Sequence, residues 1–267
     1  MTAQPSADDV NRNQYRRATT VNIIKSRNGN WIDRSERLII NEIADEIRSQ
    51  TILDIGVGTG RTTWLLRPLS ADYIAIDLSP EMVEVCRHEH PGLDVRECDV
   101  RDLSAFNNDS FKLVFFSFNG IDLLGHDDRL RAMKEMHRVL QPGGLLLYST
   151  SNKNGKLYGI HPWDAVEHKN RNILRILLRF SLSISRYWRI YRNWWQKRSY
   201  AEDHGAWAIR TSRAYEFGVI HHWTHPSTEL QSLNSAGFNH CEFRSSSGNS
   251  VVDDSTQCSY FYVLARK

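Results

Sequence analysis

Cysteine is scarce in this chain, and its scarcity sets the first limit. Four of 267 residues are cysteine (Cys86, Cys98, Cys241 and Cys258), and no two of them form a CxxC pair. That argues against a disulfide framework and a zinc ribbon, and scattered thiols fit a reducing cytosol. No stretch of about 18 uncharged apolar residues occurs, so no membrane-spanning helix is expected. The opening "MTAQPSADDVNRNQYRR" has no apolar core, so no secretory signal is expected either. Charge of one sign is also nearly missing: 34 Lys and Arg against 31 Asp and Glu leave +3, too little to indicate nucleic acid by itself. No internal repeat is present. With 40% hydrophobic and 24% charged residues, the chain can build a sizeable core.

From Thr51 onward, strand-like and helix-like segments alternate. "TILDIG", "DYIAID", "LDVRECD", "FKLVFFSFN" and "GLLLYSTS" are apolar and strand-sized. Between them lie Arg61 to Leu69, "SPEMVEVCRHEHP" with Pro80 in its first turn, and "DDRLRAMKEMHRVL" stopped by "QPGG". Upstream, Leu38, Ile39, Ile43 and Ile47 have the spacing of an amphipathic helix, with Ser35 as its expected N-cap. This order predicts an α/β, doubly wound, parallel sheet, which binds ligands at the carboxyl ends of its strands. Residues 1 to about 20 are polar and read as a partly mobile segment. The alternation breaks near Ser151 and resumes at "FGVIHHWTHPSTELQSLNSAGF". Domain limits follow: an N-terminal segment 1–34 lying partly over the cofactor, a ligand-binding domain of 35–151 and 214–267, and a helical, basic and aromatic lid insertion of 152–213.

"TILDIGVGTGRT" places Gly56, Gly58 and Gly60 at alternate positions after an apolar strand. Such glycines let a backbone bend sharply or admit a ligand closely. The register departs from the dinucleotide pattern GxGxxG, because Arg61 stands where its third glycine would be, and no GK[ST] is present. Asp54 before the turn serves a pyrophosphate poorly, but serves a ligand with an ammonium group and ribose hydroxyls well. Asp77, at the tip of the second strand, can accept from ribose hydroxyls. Asp99, at the tip of the third, can accept from an adenine amino group. Leu78, Met82 and Val100 would wall the base.

This constellation resembles the class I S-adenosylmethionine-dependent methyltransferases. The matching pieces are "ILDIGVGTGR", "YIAIDLSPEMVE", "VRECDVRDL", "FKLVFFSFNGIDLL" and "MHRVLQPGGLLLYSTSN". The resemblance covers about 34–152 and returns from about Phe217 to the C-terminus. It implies a seven-stranded, mostly parallel Rossmann-like sheet and S-adenosyl-L-methionine as cofactor. In that family Asp54, Gly56, Gly58 and Gly60 would hold the methionine part, Asp77 the ribose and Asp99 the adenine. Val57 is a small departure, where Cys, Ala or Ser is common.

The acceptor is less legible. The fourth strand ends "FSFNGID", without the Asn/Asp-Pro-Pro-Tyr/Phe motif of enzymes that methylate amines of nucleic acid or protein. A small-molecule or glycan-type acceptor, methylated at oxygen or nitrogen, is therefore expected, with Ser117, Phe118 and Asn119 at the methyl site and Trp163 and Trp223 as further contacts. His221, His222 and His161 are candidate general bases. His221 and His225 stand four apart, but Pro226 breaks a helix through them, so no metal site is expected.

"KNRNILRILLRFSLSISRYWRIYRNWWQKR", Lys169 to Arg198, holds nine cations and no acid. Ile173, Leu177, Phe180, Ile184, Tyr187, Tyr191 and Trp194 recur at helical spacing. A basic amphipathic helix suits an anionic membrane interface or a phosphorylated, lipid-linked acceptor. Nucleic acid fits less well. The expectation is a cytoplasmic enzyme, peripheral at the inner membrane surface and able to form a homodimer. Two alternatives are a methyltransferase-fold enzyme that catalyses a non-methylating cyclisation or rearrangement, and a membrane-surface binding protein.

Overall fold

The computed structural model describes residues 5–26, 31–164 and 173–267, with the side chains of 173–183 left aside. Two short helices, α1 (Ala7–Tyr15) and α2 (Ala18–Lys25), precede α3 (Arg34–Ile47). Then come β1 (Gln50–Ile55), α4 (Thr63–Leu66), β2 (Ser70–Asp77), α5 (Pro80–Glu89), β3 (Asp94–Glu97), β4 (Phe111–Phe116), α6 (His126–Val139) and β5 (Leu140–Ser151). The second half holds α7 (Ile173–Lys197), β6 (Glu202–Asp203), β7 (Trp207–Ser212), the single turn α8 (Ala214–Phe217), β8 (Val219–Thr224), α9 (Pro226–Ala236), β9 (Asn239–Ser245) and β10 (Tyr260–Arg266).

Seven strands form one sheet in the order β3-β2-β1-β4-β5-β10-β9. β1 pairs in parallel with β2 and β4, whereas β10 runs antiparallel between β5 and β9. The apolar runs form strands because both sheet faces are covered. Ile52 and Phe115 pack with Ile39, Ile40 and Ile43 of α3, while Leu53 and Phe116 face Met133 and Met136 of α6. Truncating any of these fully buried side chains costs about 2–5 kcal/mol. Side chains alternate between the two cores along each strand, so what one strand sends to one face its next residue cannot reach.

Local chemistry sets the helix starts. Ser79 caps α5 by accepting from the Met82 N–H, with Pro80 in the first turn. Asp33, not Ser35, caps α3 by accepting from the Ser35 N–H at 3.0 Å. The buried Ser35 hydroxyl instead donates to the Ser245 carbonyl. The expected helix over Arg61 to Leu69 is only α4 followed by a 3₁₀ turn, Arg67–Leu69, because Pro68 has no N–H to continue it.

The largest difference lies in the insertion. β8 does not rejoin the main sheet. It pairs antiparallel with β7, and β7 with β6, in a separate three-stranded sheet. The insertion is thus not wholly helical, and its sheet runs to Thr224, past the expected boundary at 213. The N-terminal segment is helical from Ala7, with Ser6 and Asp9 forming a capping box.

The glycine turn contains a sharp packing constraint. Gly60 has φ +94°, and a Cβ there would stand 2.1 Å from His90 Nε2. Gly60→Ala should lower the unfolding free energy by about 1–3 kcal/mol, through a left-handed backbone and an overpacked contact. Thermal and urea unfolding check this, and an unchanged midpoint would show that the turn is free to relax.

Candidate active site

β1 delivers Ile55 to the sheet edge, and the chain then reverses through Gly56 (φ +64°) and Gly58 (φ +58°). A Cβ on Gly56 would lie 2.8 Å from the Phe116 ring. The turn is tied to β2 by its backbone: Val57 N–H donates to the Ile76 carbonyl at 3.1 Å, and Gly58 N–H to Asp77 Oδ2 at 2.8 Å. The other Asp77 oxygen accepts from the Ser79 N–H at 2.8 Å. Burial pushes the Asp77 carboxyl up to about 6 against these stabilising N–H donors.

Beside this knot a cavity opens over the carboxyl ends of β1 to β4. Its walls include Gly56, Gly58, Asp77, Leu78, Met82, Asp99, Val100, Ser117 and Phe118, all expected at the site. Ile55 also lines it, and this explains what happens to Asp54. Alternation turns Asp54 to the α3 side of the sheet, where it is fully buried and accepts from the Tyr73 and Thr62 hydroxyls. It does not line the cavity, and its Oδ1 has no hydrogen-bond partner among the described residues. Burial pushes its carboxyl up to about 7, although both hydroxyls oppose the shift. Gly60 also stays out of the lining and packs on His90.

Asp99 reaches the cavity but is heavily engaged. The Arg101 guanidinium donates to both of its oxygens and also to Asp8 of α1 and Asp128 of α6. Burial raises the Asp99 carboxyl, yet the bonds from Arg101 carry it below the usual carboxylate range. This cluster holds α1 over the cavity, where Asn11, Arg12 and Tyr15 form part of the wall. Asn11 fixes α1 further: its side chain bonds both the N–H and the carbonyl of Ile220 on β8, at 2.8 Å each, and the Leu123 carbonyl at 2.9 Å. Tyr15 meets Tyr215 edge to face at 5.5 Å, and both line the cavity. Sequence reading missed Arg12, Tyr15, Tyr215 and Arg101. The only signal was the polar, arginine-rich "NRNQYRR", which looks the same in a solvated helix.

The histidines do not reach the cavity. His222 is buried, bonds His126 through Nε2 at 3.2 Å and stacks with Trp207. His221 faces the opposite way, beside Trp223, and burial pushes it down to about 4. His161 is exposed and sits edge-on to Trp194. Held in packing or at the surface, away from the ligand walls, none of the three imidazoles is in reach of an acceptor bound in the cavity. Asn119 turns to Ser151 Oγ, Trp163 is exposed and Trp223 is buried against Tyr158, so none of these three lines the cavity. Arg61 does line it, clamped by two bonds to Glu36 and one to Ser117 Oγ, with its guanidinium beside the Trp31 and Phe118 rings.

A seven-stranded sheet with one reversed strand, and a glycine turn hydrogen-bonded to an acid at the tip of the neighbouring strand, defines a methyltransferase fold. Residues 52–144 match the family model described as a methyltransferase domain. The chain is 32% identical over 120 residues to the malonyl-[acyl-carrier protein] O-methyltransferase of Halorhodospira halophila, covering 43% of this chain and 40% of that protein. It is 31% identical over 120 residues to the ubiquinone biosynthesis O-methyltransferase of Xanthomonas oryzae, covering 43% and 48%. Thus the chain spans under half the length of these curated relatives. A solved structure of the Burkholderia thailandensis 1,6-didemethyltoxoflavin-N1-methyltransferase superposes with a TM-score of 0.56 at 14% identity, over 100% of this chain and 93% of that one, a likeness of fold. Residues 52–144 thus resemble a methyltransferase domain, and the chain shares its fold with a solved methyltransferase.

Asp54 yields a pH prediction. Between about pH 4 and 7 the folded protein keeps the Asp54 proton that the unfolded chain releases, so this residue's contribution to stability falls as pH rises through that window. Asp54→Asn removes the titration. The stability difference, variant minus wild type, should therefore rise between pH 4 and 7, by up to about 4 kcal/mol. Urea unfolding across that range checks it, and a pH-independent difference would show that Asp54 titrates normally.

Proposed function

We propose that this chain transfers a methyl group from S-adenosylmethionine to a small-molecule acceptor. The observation that carries this reading is the cavity at the strand tips, where Gly56, Gly58 and Asp77 converge with the apolar walls Leu78, Met82 and Val100. The geometry fits that ligand. Each Asp77 oxygen accepts one backbone N–H, and a carboxylate has about four acceptor sites, so both oxygens keep capacity for ribose hydroxyls. The apolar walls suit a purine. Asp99 serves an amino group only in competition with Arg101. Arg61 directly follows the glycine turn and would face the methionine end.

Held there by Gly58, Asp77 and the apolar walls, S-adenosylmethionine would supply a sulfonium methyl to an acceptor lone pair, with S-adenosylhomocysteine as the leaving group and the acceptor's proton released to water. The contribution of the chain is orientation and exclusion of water. Phe118, Tyr15 and Tyr215 would wall the acceptor side. Ser117 Oγ, held by Arg61 at 2.9 Å, would be a fixed polar group there. The relatives named for malonyl-[acyl-carrier protein] and ubiquinone biosynthesis support a small-molecule acceptor, and the reading takes it to be methylated at oxygen or nitrogen and to be free or lipid- or phosphate-linked. The reading also includes contact with an anionic membrane surface. No helix among the described residues is long and apolar enough to cross a membrane.

Calorimetric titration with S-adenosylhomocysteine tests this. Micromolar binding is expected, with Kd raised about tenfold or more in Asp77→Ala, which removes the hydroxyl acceptor. Ribose hydroxyls donate to the ionised carboxylate, so affinity should also fall as pH drops through about 6. An unchanged Kd in the variant would remove the assignment of Asp77. Formation of S-adenosylhomocysteine in turnover separates methyl transfer from a rearrangement.

A further inference from the structure

The function above includes contact with an anionic membrane surface but assigns no residue to it, and the outward face of α7 deepens that reading. On that helix Ile190 and Asn193 are buried against the domain, while Ile184, Trp188, Tyr191 and Trp195 stand in solvent, exposed by 54%, 62%, 36% and 59%. These four fall at i, i+4, i+7 and i+11, which places them on one narrow stripe. A stripe of two tryptophans, a tyrosine and an isoleucine turned to water is costly unless something covers it. Ile173, Leu177 and Phe180 continue the spacing in sequence, but their side chains lie outside those described.

The charge around the stripe says what covers it. Lys169 to Arg198 holds nine cations and no acid. The Arg192 guanidinium sits over the Trp188 ring at 5.1 Å and that of Arg198 over the Trp195 ring at 3.2 Å, so cations border the apolar face directly. Aromatic rings with one apolar edge, bordered by arginine, match the headgroup layer of a membrane that carries negative charge. We propose that the outward face of α7 docks on an anionic lipid surface through Ile184, Trp188, Tyr191 and Trp195, with Arg192 and Arg198 meeting the headgroups.

The helix is not a loose appendage. Arg186 and Arg189 pair with Glu216 at 3.2 and 3.0 Å, and Asn193 Nδ2 donates to the Glu216 carbonyl at 3.0 Å. Glu216 follows Tyr215, a cavity wall, so the docking helix and the cavity share one joint. The inference goes beyond methyl transfer and does not require it, since lipid binding is read without cofactor.

Sedimentation of the full chain with vesicles tests the proposal. The protein should pellet with vesicles that are about one-third phosphatidylglycerol and not with phosphatidylcholine alone, and salt should weaken the binding. Trp188→Ser with Trp195→Ser should lower partitioning about tenfold or more while S-adenosylhomocysteine affinity and unfolding midpoint stay at wild-type values. Arg192→Gln with Arg198→Gln keeps the aromatics and should lose the preference for anionic vesicles. Wild-type protein that stays in the supernatant with anionic vesicles overturns the proposal, as does a tryptophan variant that pellets equally well. A self-associated species that depends on the two tryptophans, without vesicle binding, also overturns it by assigning the stripe to a second copy of the chain.

Discussion

The Asp77 carboxylate is the constraint on which the ligand site rests. Gly56, Gly58 and Gly60 bring no side chains to the turn, so its shape depends on backbone hydrogen bonds together with the buried Val57 and Thr59. Asp77 receives one N–H from that turn, at Gly58, and one from the start of α5, at Ser79. It therefore joins the first two strand tips and sets the width of the gap between them. Burial makes this carboxylate costly, which its raised pKa records. The cost is met only in part by the two N–H donors. A carboxyl left under-satisfied at the floor of a cavity is primed for further donors, and two hydroxyls on one ligand would complete it.

The walls around that knot are held by arginines that each bond two or more side chains. Arg129 is fully buried and bonds Asp122, Glu229 and Thr150. Asp122 in turn accepts from the Thr150 hydroxyl and the Ser151 N–H, which fixes the 3₁₀ turn Gly120–Leu123 at the edge of the cavity. Arg61 holds Glu36 of α3 against Ser117, and Arg101 holds α1 and α6 together. Buried pairs of this kind contribute little net stability compared with apolar packing, but losing one partner leaves a buried charge and costs about 3–5 kcal/mol. Their effect is geometric: each fixes the angle between two elements that would otherwise slide on apolar contacts.

Much of this could be read in the sequence because it depends on local rules. Apolar runs of strand length, Pro80 after Ser79 and three alternate glycines each have a local cause, and the structure brings Gly56, Gly58, Asp77, Leu78, Met82, Asp99 and Val100 to one cavity. What could not be read depends on direction or on partners far away in the chain. Asp54 and Ile55 are adjacent, and only strand alternation decides which one reaches the ligand space. The histidines looked like bases because composition is blind to the small second sheet that carries His221 and His222 away from the cavity. The N-terminal roof depends on Asn11 meeting Ile220, 209 positions away, and no periodicity encodes such a pairing.

The turn between β7 and β8 shows how these parts combine. Tyr215, Glu216 and Phe217 all have φ between +50° and +61°, a conformation that costs side-chain-bearing residues about 1–2 kcal/mol each. Strain of that size persists only where surrounding contacts fix it. Here Phe217 is buried, Glu216 holds two arginines of α7, and Tyr215 packs on Tyr15 across the cavity. Each of the three residues therefore answers to a different part of the molecule: the core, the surface helix and the ligand space. A change in any one of these contacts alters the balance that holds the turn left-handed. The position of α7 and the shape of the cavity wall are thus not independent variables, and a force applied to the outward face of α7 has a short path to Tyr215 through the polar contacts of Glu216 and one peptide bond.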